Sequence, residues 1–306
     1  MNISGIYSKV LRSGIAAGIL LVVCWCTRPV EKQSFPISVF VSVPPQKYFV
    51  EKIGGEYCTV QTLIPAGTSP HTFEPKPRQM AALAKADLYF SVGVEMEKAW
   101  LPKLRSSVPG LKVIPTDSGI VKLRMEDDEE PVHAGEKESS PGHHPEGADP
   151  HIRLSPDLVK LQAAKIVRAL ADADTVHAVE YHKRYEHFLM EIDTLKQRVA
   201  DRLERCGAPD TFLVFHPSWG YFAHAFGLHQ IAIEVEGKEP GLRRLGEIAV
   251  LAKHEGIRTV LVQPQFSVKT AAVIAREIGG TTLVADPLAE NWAENLERVT
   301  GVLCGQ

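Results

Sequence analysis

The sequence predicts an α/β protein made of two Rossmann-like lobes, each a parallel sheet flanked by helices, joined by one long rigid linker helix. Three observations carry this expectation. Short apolar runs of strand length alternate with stretches of helical period in both halves of the chain, which is the pattern of parallel sheets covered on both faces. Between the halves, from Asp174 to about Arg205, Tyr181, Tyr185, Phe188, Ile192, Leu195, Val199 and Leu203 recur at three- and four-residue steps. That is one apolar stripe on one helix. At 1.5 Å per residue the helix is roughly 45 Å long, longer than a small domain is wide. Finally, 306 residues with 44% hydrophobic content supply cores for two domains of ordinary size.

In the first half, Ile37–Val43 alternates apolar and small residues and reads as a strand. Pro44-Pro45-Gln46 ends it and opens a helix through about Ile53, stopped by Gly54-Gly55. Thr59–Ile64 reads as a second, buried strand, leading into Gly67-Thr68-Ser69-Pro70-His71-Thr72-Phe73-Glu74-Pro75, a proline-bracketed loop. A helix starting near Pro77 carries Met80, Leu83 and Ala84 on one face. Leu88–Val92 is a third strand, Met96, Trp100 and Leu104 mark the next helix, and Val113-Ile114-Pro115 is a fourth strand. Ser155 as N-cap and Pro156 as first helical residue begin a helix to about Leu170.

The second half repeats the pattern. Thr211–Phe215 is a strand with His216 at its end, and Pro217-Ser218 opens a helix closed by Gly227. Strands follow at Gln230–Val235, Thr259–Gln263 and Thr281–Val284, with helices ending near His254 and Ile278 and a final helix after Asp286-Pro287-Leu288. The expected domains are a targeting segment at 1–26, a first lobe at 35–172, the linker helix at 174–206 and a second lobe at 209–306.

Two segments depart from this rhythm. At the start, Lys9 and Arg12 precede a short apolar run, Gly14–Val23, and Cys24-Trp25-Cys26 follows. A span needs about 20 apolar residues, so this reads as a secretory signal, with an uncleaved anchor as the alternative. Leu21-Val22-Val23-Cys24 resembles a lipoprotein box, with Val23 where a small residue is usual. Either way the mature chain lies outside the cytoplasm, where disulfides persist. Cys206 and Cys304 are then available to pair, leaving Cys58; three buried free thiols are the equal alternative. No CxxC follows Cys26, which excludes a thiolate zinc site. Within the first lobe, the insertion 126–148 is acidic, holds His133, His143 and His144, and has no apolar period. It reads as a disordered loop, able to collect metal weakly.

The chemistry-bearing residues sit at the carboxyl ends of predicted strands or just before a helix. His71, His216 and Asp286 each follow a strand, and His151 stands in the loop Asp149-Pro150-His151. Open α/β sheets place ligands at these ends. Two donors from each half put the site in the cleft between lobes. Three neutral imidazoles and one carboxylate suit Zn2+ first, with Mn2+, iron or nickel as alternatives. His177, His182 and His187 on the long helix have charged neighbours and no i,i+4 histidine partner, and read as surface residues. A formal net charge of -3 excludes a basic nucleic-acid footprint. Four protein ligands leave no open position for a catalytic water, and no HExxH pair occurs, so a zinc hydrolase is the weaker reading.

The chain also resembles the zinc- and manganese-specific solute-binding proteins of bacterial ABC transporters. The motifs that carry the resemblance are Gly67–Pro75, Asp149-Pro150-His151, Phe215-His216-Pro217-Ser218-Trp219-Gly220-Tyr221-Phe222, Glu239-Pro240, Gln263-Pro264-Gln265-Phe266-Ser267 and Ala285-Asp286-Pro287-Leu288. The resemblance implies two α/β lobes bridged by one helix, with His71, His151, His216 and Asp286 as metal ligands. It further implies a monomer that hands its ion to a membrane permease, at the periplasmic or outer face of the cytoplasmic membrane. Manganese members tend to carry Glu at the third position, so His216 favours zinc, as does the histidine-rich insertion. Arg153 stands where an aromatic residue is common. A manganese- or iron-specific member and a metal-binding adhesin are the alternatives within the same fold.

Overall fold

The apolar runs form two four-stranded sheets of the same topology. The computed structural model describes residues 36–125, 148–234, 240–266 and 268–305. In the first half, β1 (Ile37–Val41), β2 (Cys58–Thr62), β3 (Leu88–Ser91) and β4 (Lys112–Pro115) lie parallel in the order β2-β1-β3-β4. Their crossovers hold α1 (Pro44–Gly54), α2 (Pro77–Leu83) and α3 (Glu95–Ser107). Two helices follow, α4 (Pro156–Ala173) and α5 (Ala178–Cys206). The second half then forms β5 (Thr211–Val214), α6 (Gly220–Phe226), β6 (His229–Ala232), α7 (Leu242–His254), β7 (Thr259–Val262), α8 (Val268–Glu277), β8 (Thr281–Val284) and α9 (Trp292–Leu303). Its parallel order is β6-β5-β7-β8. In each sheet the strand order reverses, between β1 and β3 and again between β5 and β7. The crevice beyond the strand ends at such a reversal is where open α/β sheets take ligands.

The linker helix is 29 residues long and buries Tyr181, Phe188, Ile192, Leu195, Val199 and Leu203 on one face. It packs against α1 and α4 from the first half and α9 from the second. One apolar cluster therefore runs through both halves, including Phe49, Phe188, Trp292 and Leu296. Phe49 meets Trp292 edge-on at 5.4 Å and Phe188 at 6.0 Å. Each large side chain removed from water contributes about 1.5–3 kcal/mol. A seam of this size and apolarity makes the two halves one body. A separate cluster with Leu213, Phe215, Ile248, Val260 and Ile274 packs the central strands of the second sheet with α7 and α8.

Three local expectations are corrected. The β2 strand is an edge strand with half-buried and exposed residues in alternation. The buried residues of its apolar run, Leu63 and Ile64, lie beyond it and donate to the carbonyls of Val41 and Ser42. The linker helix begins at Ala178 rather than Asp174. The Asp174 carboxylate accepts the Val176 and His177 N–H groups at 3.1 and 3.2 Å, which turns the chain between α4 and α5. His177 is consequently no free surface residue: its ring stacks on Tyr57 at 4.0 Å and its Nδ1 lies 2.6 Å from Asp174 Oδ2. His182 and His187 are exposed, as expected. The targeting segment 1–26 lies outside the described residues, among which no helix is long and apolar enough to cross a membrane.

Cys206 and Cys304 form a disulfide, with Cα atoms 5.6 Å apart, that ties the end of α5 to the end of α9. Cys58 is a free, half-buried thiol whose pKa burial pushes up to about 12, so it is inert at neutral pH. The bridge spans 98 residues of sequence. Closing a loop of that order stabilises by about 4.7 kcal/mol in the chain-entropy account. The paired change Cys206→Ser with Cys304→Ser should lower the unfolding free energy by about that amount in urea titrations.

Candidate metal centre

The four loops that bear the candidate ligands are held by identifiable contacts. Gly67, at φ +77°, supplies the left-handed turn that brings the chain from β2 back toward the cleft. The His71 N–H donates to Ser69 Oγ at 3.3 Å, and the imidazole stays exposed on one side. The Asp149-Pro150-His151 segment is anchored across the lobes. The Tyr221 hydroxyl donates to the Asp149 carbonyl at 3.0 Å and accepts from the Leu123 N–H at 2.9 Å. His151 then opens a short 3-10 turn, Ile152–Leu154, ahead of α4. His216 lies two residues past β5 and is buried. Asp286 lies two residues past β8, half-buried, and its Oδ1 accepts the Leu288 N–H at 2.9 Å and Gln265 Nε2 at 3.2 Å.

Three of the four converge. The His71 and His216 rings are 5.2 Å apart at 77°, and the His151 and His216 rings are 5.6 Å apart at 74°. Two imidazoles on one tetrahedral zinc, at about 2.0–2.1 Å per nitrogen, put their centroids roughly 5 Å apart. The rings border a cavity of about 20 Å³ whose wall also includes Arg153, Gln263 and Phe266. One water-sized species needs about 10–15 Å³, so the cavity takes one such species. Asp286 is set back from this wall, although its neighbours Pro287 and Leu288 belong to it. Among the described residues no group of three or more His, Cys, Asp and Glu side chains is so placed that it could hold a metal ion without further movement.

Each buried imidazole has a carboxylate behind it. Asp149 Oδ1 is 2.7 Å from His151 Nδ1, and Glu234 Oε1 is 2.5 Å from His216 Nδ1. With Nδ1–H donated to the carboxylate, Nε2 keeps its lone pair for an ion, an arrangement that orients ligand histidines and raises their basicity. His216 Nε2 is buried without a hydrogen-bond partner. Burial holds His71 below the usual histidine pKa, and burial together with the Arg153 charge holds His151 well below it. The opposite cost falls on Asp149, which burial raises to about 7. Arg153 is fully buried and lowered by that burial to about 10; its Nε donates to the Pro287 carbonyl at 2.9 Å.

Sequence reasoning missed Glu234, Tyr221 and the pairing role of Asp149. Asp149 precedes its histidine by two residues and was legible only as part of a motif. Glu234 is an acid near the end of a strand, 18 residues from His216, and carried no signal of its own. His133, His143 and His144 lie outside the described residues; the ends of their insertion meet in an antiparallel bridge between Arg124 and Ala148.

This fold and cleft define a two-lobed α/β binding protein with an imidazole-rich site between its lobes. The profile described as "ZnuA: Zinc-uptake complex component A periplasmic" matches residues 39–300, and the chain belongs to that family. It is 28% identical over 260 residues to the zinc-binding lipoprotein AdcA of Streptococcus pneumoniae, covering 82% of this chain but only 50% of AdcA. The chain thus spans half the length of that relative. It is 27% identical over 285 residues to the high-affinity zinc uptake system protein ZnuA of Bacillus subtilis, covering 90% of this chain and 87% of that protein. Among solved structures, a ZnuA crystal structure has 39% identity and a TM-score of 0.78, covering 88% of this chain and 98% of the other. A ZnuA deletion mutant described as zinc-bound has 39% identity and a TM-score of 0.77, covering 88% of this chain and 96% of its own.

Asp149 sets the pH dependence of any ion taken by His151 Nε2. A proton on Asp149 leaves His151 Nδ1 without its acceptor and favours the tautomer with hydrogen on Nε2, which cannot bind metal. Ion binding therefore expels the Asp149 proton, and affinity should fall as pH drops below about 7. The depressed histidine values add to the loss only at lower pH. Competition titrations between pH 5 and pH 8 measure this, and Asp149→Asn should flatten the upper part of the curve.

Proposed function

We propose that this chain is an extracytoplasmic zinc-binding protein that delivers its ion to an ABC-type uptake permease, with His71, His151, His216 and Asp286 as ligands. The observation that carries the proposal is the buried, partnerless Nε2 of His216 at a cavity the size of one ion. A buried polar atom without a partner costs about 1–3 kcal/mol, a cost that an ion at Nε2 removes. Three imidazoles and a carboxylate favour zinc over the harder manganese ion. Asp286 completes the set by turning its carboxylate toward the cavity, exchanging the Gln265 hydrogen bond for the ion. A site filled by four protein ligands holds cargo and has no vacant position at which to activate water, so the chain acts as a carrier and not as an enzyme.

In this reading the chain works as a monomer, each lobe supplies two ligands, and α5 keeps the lobes in register. Nucleic acid has no place in it, given the net charge of -3. Residues 1–26 direct the chain across the membrane. The histidines of the insertion collect additional zinc with low affinity.

Protein purified without added metal should carry one zinc, and zinc should outcompete manganese in titration. His216→Ala should abolish tight binding. Glu234→Gln leaves the imidazole in place but weakens its orienting acceptor, and should reduce zinc affinity by about 10–100-fold while the apo protein unfolds at an unchanged temperature.

Because Arg124 and Ala148 already pair, residues 126–147 should be removable with a short join. The shortened protein should keep its cooperative unfolding and the tight site, and lose only weaker zinc equivalents in calorimetric titration.

A further inference from the structure

Gln263 ends the run of β7 at the point where the second sheet reverses its strand order, beside β5 and its His216. It is 2% exposed, and its side chain is committed at one end only. Nε2 donates to the His216 carbonyl at 3.2 Å and to Ser218 Oγ at 2.6 Å. A carbonyl oxygen only accepts, so the nitrogen must be the atom that faces it; the flipped amide would set two oxygens against each other. The other end is therefore Oε1, and it is buried with no hydrogen-bond partner.

Gln263 lines the same small cavity as His71, His151 and His216. Two buried acceptor atoms, His216 Nε2 and Gln263 Oε1, thus lack a donor, and both residues line one ion-sized space. Buried acceptors are nearly always satisfied. A cation satisfies both at once. Asp286, the oxygen donor expected there, stands back from the wall with Oδ1 already accepting two hydrogen bonds.

We propose that Gln263 contributes Oε1 to the coordination shell of the bound ion, as a fifth, neutral oxygen donor beside the three imidazoles and Asp286. The proposal rests on the cavity being the zinc site. The amide then does two things: its nitrogen fixes the backbone that carries His216, and its oxygen faces the ion. The amide oxygen adds a ligand without adding negative charge, whereas a carboxylate in its place would add charge and move the site further toward harder ions.

The test compares Gln263→Leu and Gln263→Glu with the unaltered protein, using zinc competition, manganese competition and the visible spectrum of the cobalt(II) form. Leu removes both functions, whereas Glu keeps an oxygen at the ion and loses the amide donor. The expected result is a loss of at least tenfold in zinc affinity for Gln263→Leu, with a changed cobalt band intensity. Gln263→Glu should hold zinc within a few-fold of the unaltered protein and raise the manganese-to-zinc affinity ratio several-fold. Equal losses in both variants, with the metal ratio and cobalt spectrum unmoved, would mean that Gln263 only holds the backbone, and would overturn the proposal. If Gln263→Leu does not fold, the manganese-to-zinc ratio of Gln263→Glu decides alone. Failure of the unaltered protein to bind one equivalent of zinc or cobalt, or tight binding by His216→Ala, would instead overturn the zinc site itself.

Discussion

The apolar seam along α5 is the constraint on which the rest of the structure depends. Among the described residues the cleft has no covalent closure of its own, and its donors come from loops of two different sheets. Their mutual distances have meaning only because Phe49, Phe188 and Trp292 pack the first lobe, the linker helix and the second lobe into one cluster. Polar contacts then refine what the seam positions. Trp292 Nε1 donates to the Arg153 carbonyl at 2.7 Å, and Tyr221 of the second lobe holds the His151 loop of the first. The seam fixes the frame of the cleft, but not every donor is at its wall: Asp286 stands back from the cavity that the three imidazoles border.

Electrostatics in the cavity follow from burial. Desolvation disfavours every charged form, and the groups respond in opposite directions: histidines lose their protons more readily and Asp149 keeps its proton longer. Without an ion, the site avoids accumulated negative charge by holding that proton. In the proposed zinc form the proton leaves, and the Asp149 carboxylate faces the Arg153 guanidinium and one divalent ion. The buried arginine is then intelligible as part of the charge balance as well as a clasp on the Pro287 loop. Arg153 is the one cationic side chain in a wall otherwise built from imidazole, amide, hydroxyl and apolar groups, among the described residues.

What the sequence determined by itself was whatever repeats locally. Helical period revealed α5 and its buried face, and strand-length runs between glycines and prolines revealed both sheets. Loop chemistry marked His71, His151 and His216 at the strand ends or helix start where an α/β sheet presents ligands. Two of these signals misled at their margins. Leu63 and Ile64 suggested a buried β2 because hydrophobicity reports burial and not strand membership. The apolar stripe suggests a start for α5 at Asp174, because periodicity does not register a carboxylate that caps the turn between helices.

Only the tertiary structure decided how distant residues meet. Cys206 and Cys304 pair because the ends of α5 and α9 arrive 5.6 Å apart, a distance no spacing rule encodes. Glu234 backs His216 because adjacent strands β5 and β6 end side by side, and the tautomer of the histidine follows from that contact. The size of the cavity, the setback of Asp286 and the partnerless oxygen of Gln263 likewise depend on the packing of loops far apart in the chain. Side-chain identity is a local property; burial, hydrogen-bond satisfaction and protonation state are properties of the surroundings, and the surroundings exist only once the two sheets are clamped by α5.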